Sequence, residues 1–101
     1  MLFICDHKEL QLIGQNSVVY FYAQNIFQHK KMIIMLELAE NNNKNKNFYA
    51  VDIDYFQNLA KIFDIESLPT VIITNAGGKE VSRIVGITKT KDFVRKISAI
   101  Q

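Results

Sequence analysis

The sequence predicts an α/β domain: a central mixed β-sheet of about five strands with helices on both faces. Three observations predict it. Short runs of β-branched and aromatic residues alternate with helix-period segments along all 101 residues. The last two runs, 71–74 and 80–85, flank Asn75-Ala76-Gly77-Gly78-Lys79, a turn-forming stretch that makes them a hairpin. The composition, 49% hydrophobic and 22% charged, is that of an ordinary globular chain. Strands joined through helices run parallel and a hairpin runs antiparallel, so the expected order β-α-β-α-β-α-β-β-α implies a mixed sheet.

Each element has its own signal. Leu2-Phe3-Ile4 reads as a short first strand. Asp6 with Glu9 three positions on has the form of a capping box, so a helix is expected through Ile13, ended by Gly14 and Asn16. Residues 17–23 (Ser-Val-Val-Tyr-Phe-Tyr-Ala) read as a buried central strand. From about Ile26 to Glu40 the period becomes helical. Met32, Met35, Leu36 and Ala39 mark one face, and Ile33, Ile34 and Leu38 widen it. Residues 41–47 (Asn-Asn-Asn-Lys-Asn-Lys-Asn) are low in complexity and are expected to form a surface loop that buries nothing.

Residues 48–53 read as a second central strand. Asp54 is expected to cap a helix over 55–63, with Phe56, Leu59, Ala60 and Phe63 inward. Pro69 closes a loop before the hairpin. Thr88 is expected to start the last helix, with Phe93, Val94, Ile97 and Ile100 facing the core. Its basic residues, together with Lys79 and Arg83, are expected on a solvated face.

The bulk numbers exclude several classes. The length favours one domain over 1–101. A net charge of +2 is too small to imply a nucleic-acid or membrane partner. Cys5 is the one cysteine, so no intramolecular disulfide forms, which fits a reducing compartment. The apolar start has no basic segment before it and is too short for a signal-peptide core, and no window approaches a membrane span. A cytoplasmic location is expected. So is the absence of metal and cofactor, since His29 has no partner at ligand spacing.

Over nearly its whole length the chain resembles the thioredoxin family. Phe21-Tyr22-Ala23 resembles the Phe-Trp-Ala before that family's CxxC, and residues 32–39 resemble the helix after it. Val51-Asp52-Ile53-Asp54 resembles the strand leading into the next helix, with Asp54 fifteen residues before Pro69. Ile65-Glu66-Ser67-Leu68-Pro69-Thr70 resembles the loop ending in cis-Pro-Thr, and Val85-Gly86 the Val-Gly after the last strand. The resemblance implies a thioredoxin-like fold and a cis bond before Pro69. It also places the family's two cysteines at Ile26 and His29, its tryptophan at Asn25, its buried aspartate at Tyr20 and that aspartate's lysine at Ala50.

Dithiol exchange needs one thiolate to attack and a second thiol to resolve the mixed disulfide. Ile26 has no lone pair to activate, so thioredoxin-type reductase activity is not expected. The expected function is a redox-inactive module that holds a protein or extended peptide segment. Its contact residues would be Asn25, Ile26, Phe27, Gln28 and His29 on one turn, with Leu68, Pro69 and Gly86 beside them. Ile26, Phe27, Leu68, Pro69 and Gly86 would form an exposed apolar patch there. His29 is expected to be a solvated or capping residue, and Cys5 a small half-buried residue far from this turn. Two alternatives stand beside this reading. One is an oxidoreductase-related role in cell redox homeostasis through Cys5 or a partner's thiol. The other is a structural subunit of a larger assembly; the chain would be a monomer or part of a complex.

Overall fold

A computed structural model describes residues 1–100; Gln101, the end of the expected 1–101 domain, lies outside the described residues. Strand β1 is Leu2–Phe3, β2 Ser17–Tyr22, β3 Asn47–Asp52, β4 Thr70–Thr74 and β5 Glu80–Val85. The helices are α1 (His29–Asn41), α2 (Gln57–Ile62) and α3 (Thr90–Ser98), with a 3-10 turn at Glu9–Leu12. The five strands form one sheet in the order β1-β3-β2-β4-β5. β1, β3 and β2 run parallel, and β4 and β5 are antiparallel to their neighbours.

The period-2 pattern of β2 builds two cores, because successive side chains leave opposite faces of the sheet. Val18, Tyr20 and Tyr22 join Met32, Met35, Leu36 and Ala39 of α1 and Phe93 and Ile97 of α3. Val19 and Phe21 join Ile4, Tyr49, Val51, Phe56 and Ile72, with Leu10 and Leu59 packed against them. So α1 and α3 cover one face, while the 3-10 turn and α2 cover the other. Every residue of β2 is buried, as a central strand covered on both faces requires.

Several elements differ from the sequence expectation. The Asp6/Glu9 pattern does close hydrogen bonds: Asp6 Oδ1 accepts from the Glu9 N–H at 2.9 Å and Glu9 Oε1 from the Cys5 N–H at 2.6 Å. It supports only one 3-10 turn, and the helix through Ile13 is not made. Asp54 is not a cap. Asp52 Oδ1 accepts its N–H at 2.9 Å in an Asx turn, and α2 opens only at Gln57, behind Phe56. The last helix starts at Thr90 behind Lys89, not at Thr88.

The Asn/Lys-rich tract is not wholly superficial. Asn43 and Lys46 are buried. Asn43 Nδ2 donates to the Ala39 carbonyl at 2.7 Å and to Ser98 Oγ at 3.0 Å, and Lys46 Nζ donates to the Ile100 carbonyl. The tract thereby ties the end of α1 to the end of α3. Arg83 also departs from the solvated face expected of it. Its guanidinium bonds both Glu80 oxygens, at 2.7 and 2.8 Å, and the carbonyls of Phe63 and Asp64, at 2.9 and 3.0 Å. This clamps β5 to the end of α2, and Arg83 pulls the Glu80 carboxyl below its usual range while Glu80 raises the guanidinium.

Candidate functional site

The strand directions gather the candidate residues at one end of the sheet. β1, β2 and β3 all point their C-terminal ends there, and β4 begins there. Phe21 pairs with Thr70, and Thr70 with Val85, so the chain after β2, the Pro69 loop and Gly86 are neighbours by register. The Leu68–Pro69 peptide bond is cis. The Pro69 carbonyl accepts from the Gly86 N–H at 2.9 Å. Gly86 has φ +83°, a conformation glycine adopts at no steric cost.

The 26–29 turn leads into α1 through Gln28, which is left-handed at φ 72°. Its side-chain Oε1 is buried without a hydrogen-bond partner among the described residues. Asn25 is exposed, and Phe27 stands out at 86% exposure. Ile26 is half-buried and packs on the α1/α3 core, whereas Leu68 is half-buried and packs on the opposite core. Pro69 is buried. The five-residue apolar patch expected from the sequence is therefore not formed as a continuous exposed surface. Of its large side chains, only Phe27 is largely exposed, because Ile26 and Leu68 are partly drawn into the two cores.

His29 is not the solvated or capping residue expected. It is half-buried at the first position of α1, and its ring lies on Tyr22, with centroids 4.6 Å apart and planes 19° from parallel. Tyr20 stacks on Tyr22 at 5.2 Å, completing a three-ring cluster. The Tyr20 hydroxyl meets His29 Nδ1 at 2.8 Å. Burial, and secondarily Tyr22, pushes the Tyr20 phenol well above its usual range, so it keeps its proton. The protonated hydroxyl can give its proton to Nδ1 or accept one from it, and the imidazole tautomer sets which. The positions of the family's buried aspartate and second cysteine are thus occupied by a phenol and an imidazole bonded to each other.

Cys5 also differs from expectation. It is exposed, at the C-terminal end of β1, on the same end of the sheet as the 26–29 turn. Phe3 meets Tyr22 edge-on at 6.4 Å. The Tyr22 phenol is raised by burial first, then by the nearby charges of Asp52 and Cys5. Cys5 Sγ lies 3.3 Å from the Phe3 carbonyl. Parallel pairing of β1 with β3 brings it to this end, and a register of that kind is not written in a three-residue strand.

A cleft of about 440 Å³ opens beside His7, Tyr55, Phe56 and Ile62, on the α2 face and away from this turn. Among the described residues no cluster of three or more His, Cys, Asp or Glu stands ready for a metal ion. None of their helices is long and apolar enough to cross a membrane.

Fold and site together define a thioredoxin-type domain whose dithiol positions hold isoleucine and histidine. The thioredoxin family model matches residues 7–99, and the chain belongs to the thioredoxin family. Thioredoxin-2 of Saccharomyces cerevisiae is 35% identical over 69 residues, which span 68% of this chain and 65% of that protein. Thioredoxin H2-2 of Oryza sativa subsp. japonica is 37% identical over 51 residues, 50% of this chain and 37% of that protein. The chain thus matches less than two thirds of the length of either relative. The X-ray structure of Fasciola hepatica thioredoxin superposes with a TM-score of 0.83, at 24% identity and full coverage of both chains. That likeness speaks to the fold.

Proposed function

We infer that this chain is a redox-inactive member of its family that binds a protein or an extended peptide segment at the 26–29 turn and the Leu68-Pro69 loop. Thioredoxins act on protein substrates, and the scaffold that presents them is kept here. The observation that carries the reading is Phe27: a phenylalanine 86% exposed at the tip of a turn, between Ile26, which packs on the core, and His29, which is stacked on Tyr22. Such a side chain is a ready anchor for a partner's pocket. Beside it, neither the N–H nor the C=O of Leu68 pairs with another backbone group among the described residues. Those groups are open to an added strand. His29, Asn25, Gln28, Pro69 and Gly86 shape the surface between these two features. A cytoplasmic location and a monomer or complex subunit belong to the same reading.

The thiol chemistry argues in the same direction. Ile26 and His29 supply neither an attacking nor a resolving sulfur, and Cys5 has no second thiol in the chain. The test pairs two measurements. Affinity capture with wild-type and Phe27→Asp protein side by side is expected to lose the partner in the variant; unchanged capture would sink the docking site. Insulin reduction is expected to stay at background, and turnover comparable to an ordinary thioredoxin would overturn the redox-inactive reading. A role through Cys5 has its exposure at this end of the sheet in its favour, and rapid alkylation of that thiol would speak for it.

A further inference from the structure

Helix α1 carries a second face that its fold does not use. Its buried residues are Met32, Met35, Leu36 and Ala39. Lys30, Lys31, Ile34, Glu37, Leu38 and Asn41 are all exposed. At about 100° per residue these six fall within an arc of about 120°. Ile34 is 61% exposed and Leu38 43%, both larger exposures than a helix–sheet contact would leave. The face therefore has an apolar centre, two cations toward the N-terminus and an anion toward the C-terminus. None of Lys30, Lys31 and Glu37 belongs to an ion pair among the described residues.

We propose that this face pairs with the same face of a second copy of the chain, antiparallel and centred on Ile34. The charge order selects both occupant and direction. In a two-fold antiparallel pairing the level of each residue is mirrored about 34, and each flank of the face meets the same flank of the second copy. Ile34 meets the second copy's Ile34. Lys30 and Glu37 share one flank, so Lys30 meets the second copy's Glu37 twice over. Lys31 and Leu38 share the other, so Lys31 lies opposite the second copy's Leu38, where its methylene stem covers apolar surface and its ammonium stays in water. A parallel pairing would instead set the lysines of the two copies against each other. One helix face is smaller than the roughly 800 Å² per partner of a standard interface, so the dimer is weak and reversible. Phe27 lies just beyond the N-terminal end of this face, so self-association would crowd the docking turn. The pairing itself does not depend on that turn's function.

Sedimentation velocity of the full chain at concentrations from about 10 to about 1000 µM tests the proposal, the range in which a weak homodimer titrates. The wild type is expected to shift from monomer toward dimer. Lys30→Glu and Glu37→Lys are each expected to weaken association about tenfold, and the two together to restore it, because the swapped charges again meet across the two-fold. Ile34→Asp is expected to remain monomeric with unchanged far-UV circular dichroism. A wild type that stays monomeric throughout overturns the proposal and leaves the face to another occupant. So does a double charge reversal no stronger than the single ones.

Discussion

The Tyr20 hydroxyl and His29 Nδ1 share a hydrogen bond of 2.8 Å, from the middle of a fully buried strand to the first residue of the helix that follows it. This bond fixes the imidazole against Tyr22 and closes the end of the sheet where the family keeps its thiols. Tyr20→Phe removes the hydroxyl but keeps the ring. Denaturant unfolding is expected to show a loss of about 1 kcal/mol, the usual net worth of such a bond. Long-range proton–nitrogen NMR is expected to find one dominant His29 tautomer in the wild type and a mixture in the variant.

The same burial sets a limit at alkaline pH. Tyr20 and Tyr22 are both raised above the ordinary tyrosine value of 10.0. A phenol whose folded pKa is raised contributes stability that is complete below its unfolded value and disappears as pH climbs through the folded one. The tyrosine contribution to stability is therefore expected to be constant below pH 10 and to fall above it. Ultraviolet titration of the four tyrosines is expected to show Tyr20 ionising only as the protein unfolds. A Tyr20 that titrates normally in folded protein would contradict this.

What was legible in the sequence follows from range. The alternation in β2 and the Met32, Met35, Leu36, Ala39 face are local patterns, and both give the observed cores. Asp54 failed as a cap because Asp52, two residues earlier, takes its N–H, and two nearby aspartates compete in ways spacing does not rank. The Tyr20–His29 bond spans a turn whose path depends on Gln28 being left-handed, a conformation that glutamine does not advertise. Parallel register brings Cys5 to the same end of the sheet as the candidate turn, and Arg83 and Asn43 found partners 19 to 55 residues away. Long polar side chains in a hydrophilic stretch read as solvated until the fold supplies those partners.

Arg83 is expected to matter beyond its charge. Arg83→Ala frees two carbonyls at the end of α2 and the Glu80 carboxylate, and is expected to cost about 1–3 kcal/mol in denaturant unfolding. Arg83→Lys cannot span the same acceptors and is expected to recover only part of that. The Glu80 carboxyl, lowered from 4.5 by Arg83, adds stability above that pH that is lost as pH falls through the folded value. Its surface exposure keeps that share small.

Asn43 is expected to be the costly position of an otherwise permissive tract. Asn43→Ala leaves the buried Ala39 carbonyl and Ser98 hydroxyl without its amide, a loss of about 1–3 kcal/mol. Asn45 is exposed, and Asn45→Ala is expected to stay within about 0.5 kcal/mol of wild type. Equal effects at the two positions in thermal unfolding would show that the loop does not tie α1 to α3.

Ile26 and Phe27 are adjacent apolar residues that the structure assigns to different tasks, and the same substitution at each separates them. Ile26 packs on the α1/α3 core, so Ile26→Asp places a carboxylate against apolar side chains and is expected to destabilise by about 2 kcal/mol or more. Phe27 gives up almost no burial, so Phe27→Asp is expected to unfold within about 0.5 kcal/mol of wild type. A folded Phe27→Asp protein that no longer captures partner would then locate the loss in the contact surface. A strongly destabilised one would instead place Phe27 in the fold, and its exposed ring would cease to be an argument for docking.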